Sequence, residues 1–428
     1  MDILKAVLKH EVFPALGCTE PIAVAYVAGI AAREAGGEIE KIEIRVDPGV
    51  YKNGFAVTIP NTGGEKGNLI AGVLGSLIKK PELKMEILKS VSEEMICRAK
   101  ELIHTGKATI SYDPSKTRLY IEVVVKTEND SARAVIEGSH MNLVRLEKNG
   151  QILFKNDFRE NSPVDLKYKQ VLKNMKISEF IGLIRDMDDE DSDHIQRGID
   201  MNLKASQAGR KLRKAGYYIS ESVKKGYHLN DLSSSTRVLT TSAADARMSG
   251  LDVSVMSSGA SGNQGIVAIL IPYNAGRYFD IEETTIIQSI ALSILINSYI
   301  RCFTGELSPL CGCAIAAGAG AAAAIVYQHY GKDMKKITLA VNTIISDLGG
   351  MLCDGAKEGC AFKIATATDS AIRSAYMAMN DYGITPMEGI VGKTAEETIY
   401  NLGRISTRGM AKADDEILKI MIKKTSQS

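Results

Sequence analysis

The sequence predicts an α+β protein: a smaller α+β domain built on an antiparallel sheet, joined to a mostly helical domain that carries the site. Two observations support this. In IEKIEIRVD, GFAVTIP, KATISYD and RLYIEVVVKTE, between residues 38 and 157, apolar residues alternate with polar ones, the period that puts one face of a strand on a core. From SPVDLKYK onward the apolar residues recur at three and four positions, as on one face of a helix. Strands gathered ahead of helices point to segregated layers rather than an alternating parallel sheet.

Taken in order, residues 1–37 read as two helices packing on the catalytic domain. Pro14 and Gly17 break the first, and Gly36 with Gly37 ends the second. Residues 38–157 form the smaller domain. There a helical stretch near 85–104 separates the second and third strands, and ARAVIEGSHMNLVRLEKNG with QILFK continues the sheet. Residues 158–428 form the helical domain, with helical spacing in segments such as SEFIGLIRDM, HIQRGIDMNLKASQAGRKLRKAG, ETTIIQSIALSILINSYIRCFT and FKIATATDSAIRSAYMAMND. The longest uncharged run, LSPLCGCAIAAGAGAAAAIVYQHYG, is long enough to raise a membrane span. Ala and Gly contribute little transfer energy beside Leu or Ile, so it is expected to be a buried helix of a soluble protein.

The 428 residues include 52 basic and 51 acidic side chains, a net charge of +1. That balance speaks against nucleic acid or an anionic membrane as the main partner; a small substrate and at most a second copy of the chain are expected instead. The opening MDILKAVLKHEVFPALG mixes charges into an amphipathic pattern and lacks the apolar core of a signal peptide, so a cytoplasmic location is expected. Seven cysteines, at 18, 97, 302, 311, 313, 353 and 360, are an odd number. Reduced thiols with metal or catalytic roles therefore outrank disulfides.

Several stretches look chemical without being so. DMDDEDSDH lacks the turn glycine and closing glutamate of a calcium loop and reads as a solvated helix connection. GKT at 392–394 has Met387 where a phosphate loop needs glycine, so it reads as a turn before a capped helix. GRKLRK reads as a basic helix face. The six histidines never pair at metal-ligand spacing, so histidine-dependent catalysis is not indicated.

The cysteines around LCGCAIAAGAG and LCDGAKEGCAF are different. Cys311 and Cys313 precede a small-residue helix, Cys353 lies in a Gly/Asp loop and Cys360 opens another helix, places where helix N-termini favour a thiolate or an anionic cofactor. A single such cysteine is about as often plain core filling, but core packing does not need the Gly and Asp turns that surround these. No CxxC knuckle for structural zinc is present. Well-separated cysteines with small neighbours suit a cubane iron-sulfur cluster, and three ligands leave one iron open as a Lewis acid. The Ser/Gly/Asn-rich stretch VMSSGASGNQGIVAIL offers donors for a carboxylate. In ALGCTEPIAVAY a further thiol, Cys18, stands where a helix begins.

Taken together, ALGCTEP, YKNGFAVTIPNTG, SGASGNQG, LCGCAIAAGAG and GMLCDGAKEGCAFKIATATDSA resemble the L-cysteine desulfidases, relatives of the iron-sulfur L-serine dehydratases, across nearly the whole chain. The resemblance implies an oxygen-sensitive [4Fe-4S] cluster and conversion of L-cysteine and water to pyruvate, ammonia and hydrogen sulfide. It points to Cys313, Cys353 and Cys360 as cluster ligands, with Cys18 or Cys311 as substitutes for one of them. Cys18 falls where the serine dehydratases carry their proposed histidine base, so it is expected to be the base that takes the Cα proton, a helix-start thiol of lowered pKa; a fourth cluster ligand is its rival role. Ser261, Asn263 and Gln264 are expected at the substrate carboxylate and ammonium, with Thr19, Glu20 and Lys357 as neighbours and Asn53 and Gly54 lining the cleft from the smaller domain.

Alternatives are an iron-sulfur L-serine dehydratase, a pyridoxal-phosphate desulfhydrase and a cluster- or thiol-based sensor. For the second, SGNQG resembles a carboxylate-binding turn, but the chain lacks a glycine-rich phosphate cup. For the sensor, no motif supplies an output.

Overall fold

The computed structural model describes residues 2–156, 164–305 and 307–425. Helix α1 (Ile3–Glu11) is capped by Asp2, whose carboxylate accepts from the Lys5 amide and so satisfies one of the amides that a helix start leaves unpaired. Between the two expected helices lies a short strand, β1 (Pro14–Leu16). Gly17, at φ +71°, then turns the chain into α2 (Thr19–Ala35), with Cys18 as its N-cap. The two helices part company. α1 joins the core of the helical body, whereas α2 packs on the sheet and on the helix α4 described next. This corrects the expectation that both pack on the catalytic domain. The cause is that α2 is apolar and small nearly all round, buried along most of its length, and so needs partners on every side.

The sheet is built from β2 (Ile39–Val46), β3 (Ala108–Tyr112), β4 (Tyr120–Thr127), β5 (Ser131–Glu137), β6 (Leu143–Lys148) and β7 (Gln151–Lys155), with α3 (Pro48–Gly54), α4 (Asn68–Ile78) and α5 (Glu93–His104) between β2 and β3. The strand order is β3-β2-β4-β5-β6-β7. β2 and β3 run parallel, Ile42 opposite Ala108 and Val46 opposite Tyr112, and the other pairs are antiparallel. The sheet is thus mixed rather than antiparallel, because the helices after β2 form a crossover long enough to bring β3 back in the same direction. GFAVTIP is not a strand: it makes one isolated bridge, Thr58 with Lys66. α4 was not foreseen. Its glycines let it lie directly on α2, where a Cβ at Gly75 would stand 2.1 Å from the Ala25 carbonyl oxygen.

The helical body comprises α6 (Val164–Asn174), α7 (Ile177–Arg185), α8 (Asp189–Gly209), α9 (Ala215–Lys224), α10 (Leu232–Met248), the strand β8 (Ser254–Met256), α11 (Gly262–Tyr278), α12 (Glu283–Thr304), α13 (Ala316–Tyr330), α14 (Met334–Leu348), α15 (Cys360–Met379), α16 (Ala395–Arg404) and α17 (Ala413–Thr425). β8 pairs antiparallel with β1, Pro14 opposite Met256, and so ties the chain's start to this body. α13, from the Ala/Gly run, is buried through Gln328; a Cβ at Gly320 would meet the Ser293 carbonyl of α12 at 2.3 Å. α12 itself is long and apolar enough to cross a membrane, and 78% of its apolar window is buried inside the fold. GRKLRK is a connection rather than a helix face: α8 stops at Gly209, where a Cβ would stand 1.7 Å from the Ser242 carbonyl of α10. Asp188, in the acidic run, caps α8, and Thr394, from GKT, caps α16.

Candidate active site

A cavity of about 90 Å³ lies where α2, α3 and the β5–β6 loop meet the helical body. It gathers residues from across the chain. Cys18, Thr19, Glu20, Asn53, Ser261, Asn263, Gln264, Cys313, Cys353 and Cys360, all expected from the sequence, line it together with Cys311. Two expected residues do not. Gly54 faces Asn68, whose Oδ1 would be 1.7 Å from an added Cβ, so its place is set by packing of α3 on α4. Lys357 pairs with Asp354, and Lys363, farther along α15, lines the cavity instead.

The thiols are positioned by backbone. Leu310 and Leu352 form an antiparallel bridge; beside it the Cys311 amide donates to the Met351 carbonyl at 2.8 Å and the Cys353 amide to the Pro309 carbonyl at 2.7 Å. Gly355 turns the second loop at φ +90°, where an added Cβ would lie 2.5 Å from the Lys52 carbonyl. That close approach lets the Ala356 amide reach the Asn53 carbonyl and fastens the cysteine loop to α3. Cys360 is the first residue of α15.

The charges there are crowded. A hydrogen bond from Cys313 draws the Cys311 thiol down to about 6 and holds Cys313 well up, so this pair shares a proton. Burial raises Cys353, and raises Cys360 to about 11. Lys363 stands beside Cys311 and Cys353 and donates to the Leu352 carbonyl and to Asp354. Four thiols around one space, Cys311 buried and Cys313, Cys353 and Cys360 half-buried, cannot all ionise without added positive charge, which makes them a donor set that suits a thiophilic metal centre. Among the described residues no three His, Cys, Asp or Glu side chains gather tightly enough to hold a single metal ion. A donor set spread around a cavity fits a multi-iron cluster better than a lone ion.

Across the cavity, Glu20 is a hub. Its Oε2 accepts from the Cys18 thiol at 2.8 Å and from the Thr19 hydroxyl at 3.2 Å; its Oε1 accepts from Asn53 Nδ2 at 3.3 Å and stands 3.7 Å from His140 Nε2. Burial alone would raise the Glu20 pKa, but His140 and the Cys18 thiol outweigh it and hold the carboxyl well below the usual range. Cys18 goes the other way: burial, then the Glu20 carboxylate, push its thiol well up despite Arg247 nearby. The expected lowered pKa is therefore corrected. The helix start that would favour a thiolate is overridden by desolvation and an adjacent anion.

Buried polar atoms without a hydrogen-bond partner among the described residues mark the same cavity: Asn53 Oδ1, His140 Nε2, Arg247 Nε, Asn263 Oδ1 and Gln264 Oε1. Buried polar groups are almost always paired, so these atoms around one space are available to bind a polar ligand. Two glycines of the motifs make room for this set. A Cβ at Gly262 would lie 2.4 Å from Arg247 Nε, and one at Gly312 would lie 2.8 Å from Gln264 Nε2. His140, Arg247, Arg301 and Lys363 were not expected here. The only signal for Arg247 and Lys363 is a lone cation on an otherwise small or apolar helical stretch; His140, in a turn between strands, gives none. A larger cavity of about 250 Å³ adjoins the first and shares His140, Ala260 and Arg301 with it.

Residues 82–419 match the model of the serine dehydratase alpha chain family. Relatives that share the full length include UPF0597 proteins of Geobacter sulfurreducens, 57% identical over 100% of this chain and 99% of its own, of Elusimicrobium minutum, 52% identical over 99% and 100%, and of Alkaliphilus oremlandii, 41% identical over 98% of each. The cysteine loops, the 261–264 turn and most of the helical body fall inside the matched segment, and with identity of this extent the chain belongs to the serine dehydratase alpha chain family.

Proposed function

We propose that the chain is a lyase that removes the β-substituent of a small L-amino acid without net redox change, with L-cysteine as the substrate and pyruvate, ammonia and hydrogen sulfide as the products. The observation that carries this reading is a single cavity that sets four thiols opposite a group of orphaned amide, imidazole and guanidinium atoms. Cys313, Cys353 and Cys360 would hold a [4Fe-4S] cluster, with Cys311 as the alternative to Cys313. The chemistry a bound cluster supplies is Lewis acidity toward the leaving heteroatom.

The chain's own residues bind and orient the substrate. Arg247, 3% exposed, together with Asn263, Gln264 and Ser261, faces the carboxylate, for which a guanidinium is the matching partner. Asn53 Oδ1 is free to accept from the ammonium, and Glu20 supplies negative charge beside it. Proton removal from Cα falls to Cys18. The aminoacrylate that results tautomerises and hydrolyses without further help. A cytoplasmic location and a small molecule as sole ligand belong to the same proposal.

L-Serine is the second reading, favoured by the serine dehydratase family match. Anaerobically purified protein is expected to carry about four iron and four sulfide per chain and to release sulfide and pyruvate from L-cysteine with a higher kcat/KM than it shows for L-serine. Absence of iron after anaerobic reconstitution would remove the cluster. Faster turnover of L-serine would reverse the substrate assignment.

A further inference from the structure

We infer that the larger cavity is the passage by which the amino-acid substrate reaches the thiols, and that Lys9, Lys169 and Arg301 select within it for small molecules carrying a carboxylate. This rests on the elimination reading above and adds a route to it. The cavity of about 250 Å³ lies between α1, α6, α12 and the β5–β6 turn. Its lining grades from solvent inward: Lys9 and Met141 are exposed, Lys169 and Arg301 half-buried, Ser298 and His140 buried. His140, Ala260 and Arg301 also line the active cavity, so the inner end of the larger space opens on the place of the substrate. Among the described residues that line the active cavity, Gly305 alone is exposed, and its edge is the rival way in.

Small residues keep the boundary between the two spaces open. Ser258 and Ser261 exchange amide-to-carbonyl hydrogen bonds at 3.2 and 3.1 Å across a turn whose middle residues, Gly259 and Ala260, stand at φ +55° and +56°. The Ala260 amide donates to the Glu11 carbonyl at 3.1 Å, which fixes this turn to α1. A non-glycine residue in the left-handed region is strained and persists where its surroundings hold it. Arg301 passes over the same turn: a Cβ at Gly259 would stand 2.5 Å from its Cδ, and one at Gly312, in the cysteine loop, 3.5 Å from its Nη1. Its side chain therefore spans from the passage to the site. The lining holds Lys9, Lys169 and Arg301 against one carboxylate, Glu11, whose two oxygens already accept from the Tyr168 and Ser298 hydroxyls at 2.7 Å. A cleft with an excess of one charge concentrates ligands of the other. The next fixed cation inward is Arg247, which on our reading is the carboxylate's final partner.

The test reverses the two outer charges, in Lys9→Glu and in the double variant Lys9→Glu with Lys169→Glu, and leaves Arg301 and the site untouched. Anaerobically purified protein is alkylated at one pH by anionic iodoacetate and by neutral iodoacetamide, and each labelled thiol is identified by peptide mass spectrometry. Five thiols line the active cavity, at 18, 311, 313, 353 and 360, so at least one stays free beside a cluster held by three or four. The ratio of the two rates at a given thiol cancels its ionisation and leaves the access of the anion. At about 0.01 M salt that ratio is expected to fall about fivefold in the double variant and about twofold in Lys9→Glu, and to return toward the wild-type value at about 0.5 M. For L-cysteine, kcat/KM is expected to fall about three- to tenfold through KM, with kcat and iron content unchanged. Lys9 is exposed, so the single variant carries the test if the double one does not fold. An unchanged ratio at low salt overturns the passage and places entry at the Gly305 edge. A fall that high salt does not reverse overturns it too, since it marks a rearranged lining rather than lost attraction. Alkylation needs no turnover, so a protein that releases no sulfide yet shows the salt-sensitive fall would sink the elimination and keep the passage.

Discussion

Replacing Arg247 by methionine should separate binding from stability, because the two are expected to move in opposite directions. Arg247 is 3% exposed, its Nε is unpaired among the described residues, its guanidinium makes a long contact to Met248 Sδ at 4.0 Å, and among the described residues no carboxylate pairs with it. A buried charge in that position costs folding energy rather than contributing it. Its partner, on our reading, is the substrate carboxylate, and a hydrogen bond to a charged group contributes about 1.5–3 kcal/mol. Loss of that bond corresponds to a fall of about 10- to 150-fold in kcat/KM, carried mainly by KM. Methionine keeps the apolar stem and removes the charge, so the melting temperature should hold or rise. Steady-state kinetics with L-cysteine, calorimetry and iron analysis on one preparation suffice. Unchanged KM together with a melting temperature lower by several degrees would show that Arg247 braces the fold and that the carboxylate binds elsewhere.

Ser substitution at Cys313, Cys353 or Cys360 should each lower iron per chain, whereas Cys311→Ser should keep most of it; the reverse result for 311 and 313 would exchange their roles. Gly355→Ala places a Cβ 2.5 Å from the Lys52 carbonyl at a φ of +90°, which should cost about 2–4 kcal/mol from strain and overpacking and, by displacing the Cys353 loop, lower iron content more than Gly63→Ala, where φ is +72° but the space is open. Lys363→Ala should depress turnover strongly while Lys357→Ala, which breaks a partly exposed ion pair, should change stability by no more than about 1 kcal/mol and leave the kinetics intact. Asp245 is raised from 3.8 to about 6, chiefly by burial. The folded state therefore holds the proton that the unfolded chain releases first, and this group's contribution falls as pH rises from about 4 to about 6. Asp245→Asn should melt higher than wild type at pH 7 and lose that advantage toward pH 4, as differential scanning at the two pH values would show.

The site was more legible in this sequence than the fold around it. Cysteines set among Gly and Asp turns, and the SGN turn, announce themselves because small residues beside reactive ones are wasteful unless something must approach closely. The structure shows what approaches: Gln264 over Gly312, Arg247 over Gly262, and the Lys52 carbonyl over Gly355. What could not be read was the environment. Cys18 does stand at a helix start, but whether its thiol is raised or lowered depends on Glu20 and on burial, neither of which has a one-dimensional signature. His140 looked like a turn residue between strands, and only the pairing of β5 with β6 carries that turn to the cavity. The parallel pairing of β2 with β3 was equally hidden, since it depends on a crossover containing α4, whose apolar run with glycines at packing positions does not advertise helical spacing. Lys357 was expected in place of Lys363 because a flexible lysine next to a cysteine loop cannot be ranked by sequence distance alone.

The two hydrophobic cores, one under the sheet and one inside the helical body, meet at the cavity, and neither holds the site by itself: Cys18, Glu20, Asn53 and His140 come from the smaller half, and Cys311, Cys313, Cys353, Cys360 and Arg247 from the helices and loops of the helical body. The site is therefore complete only when the two cores are joined. A chain with both cores formed but parted would leave these thiols open to solvent and the cavity incomplete, the state in which oxidation reaches them most easily. Mild heat or denaturant that parts the halves should silence the enzyme while circular dichroism still reports nearly all of its helix.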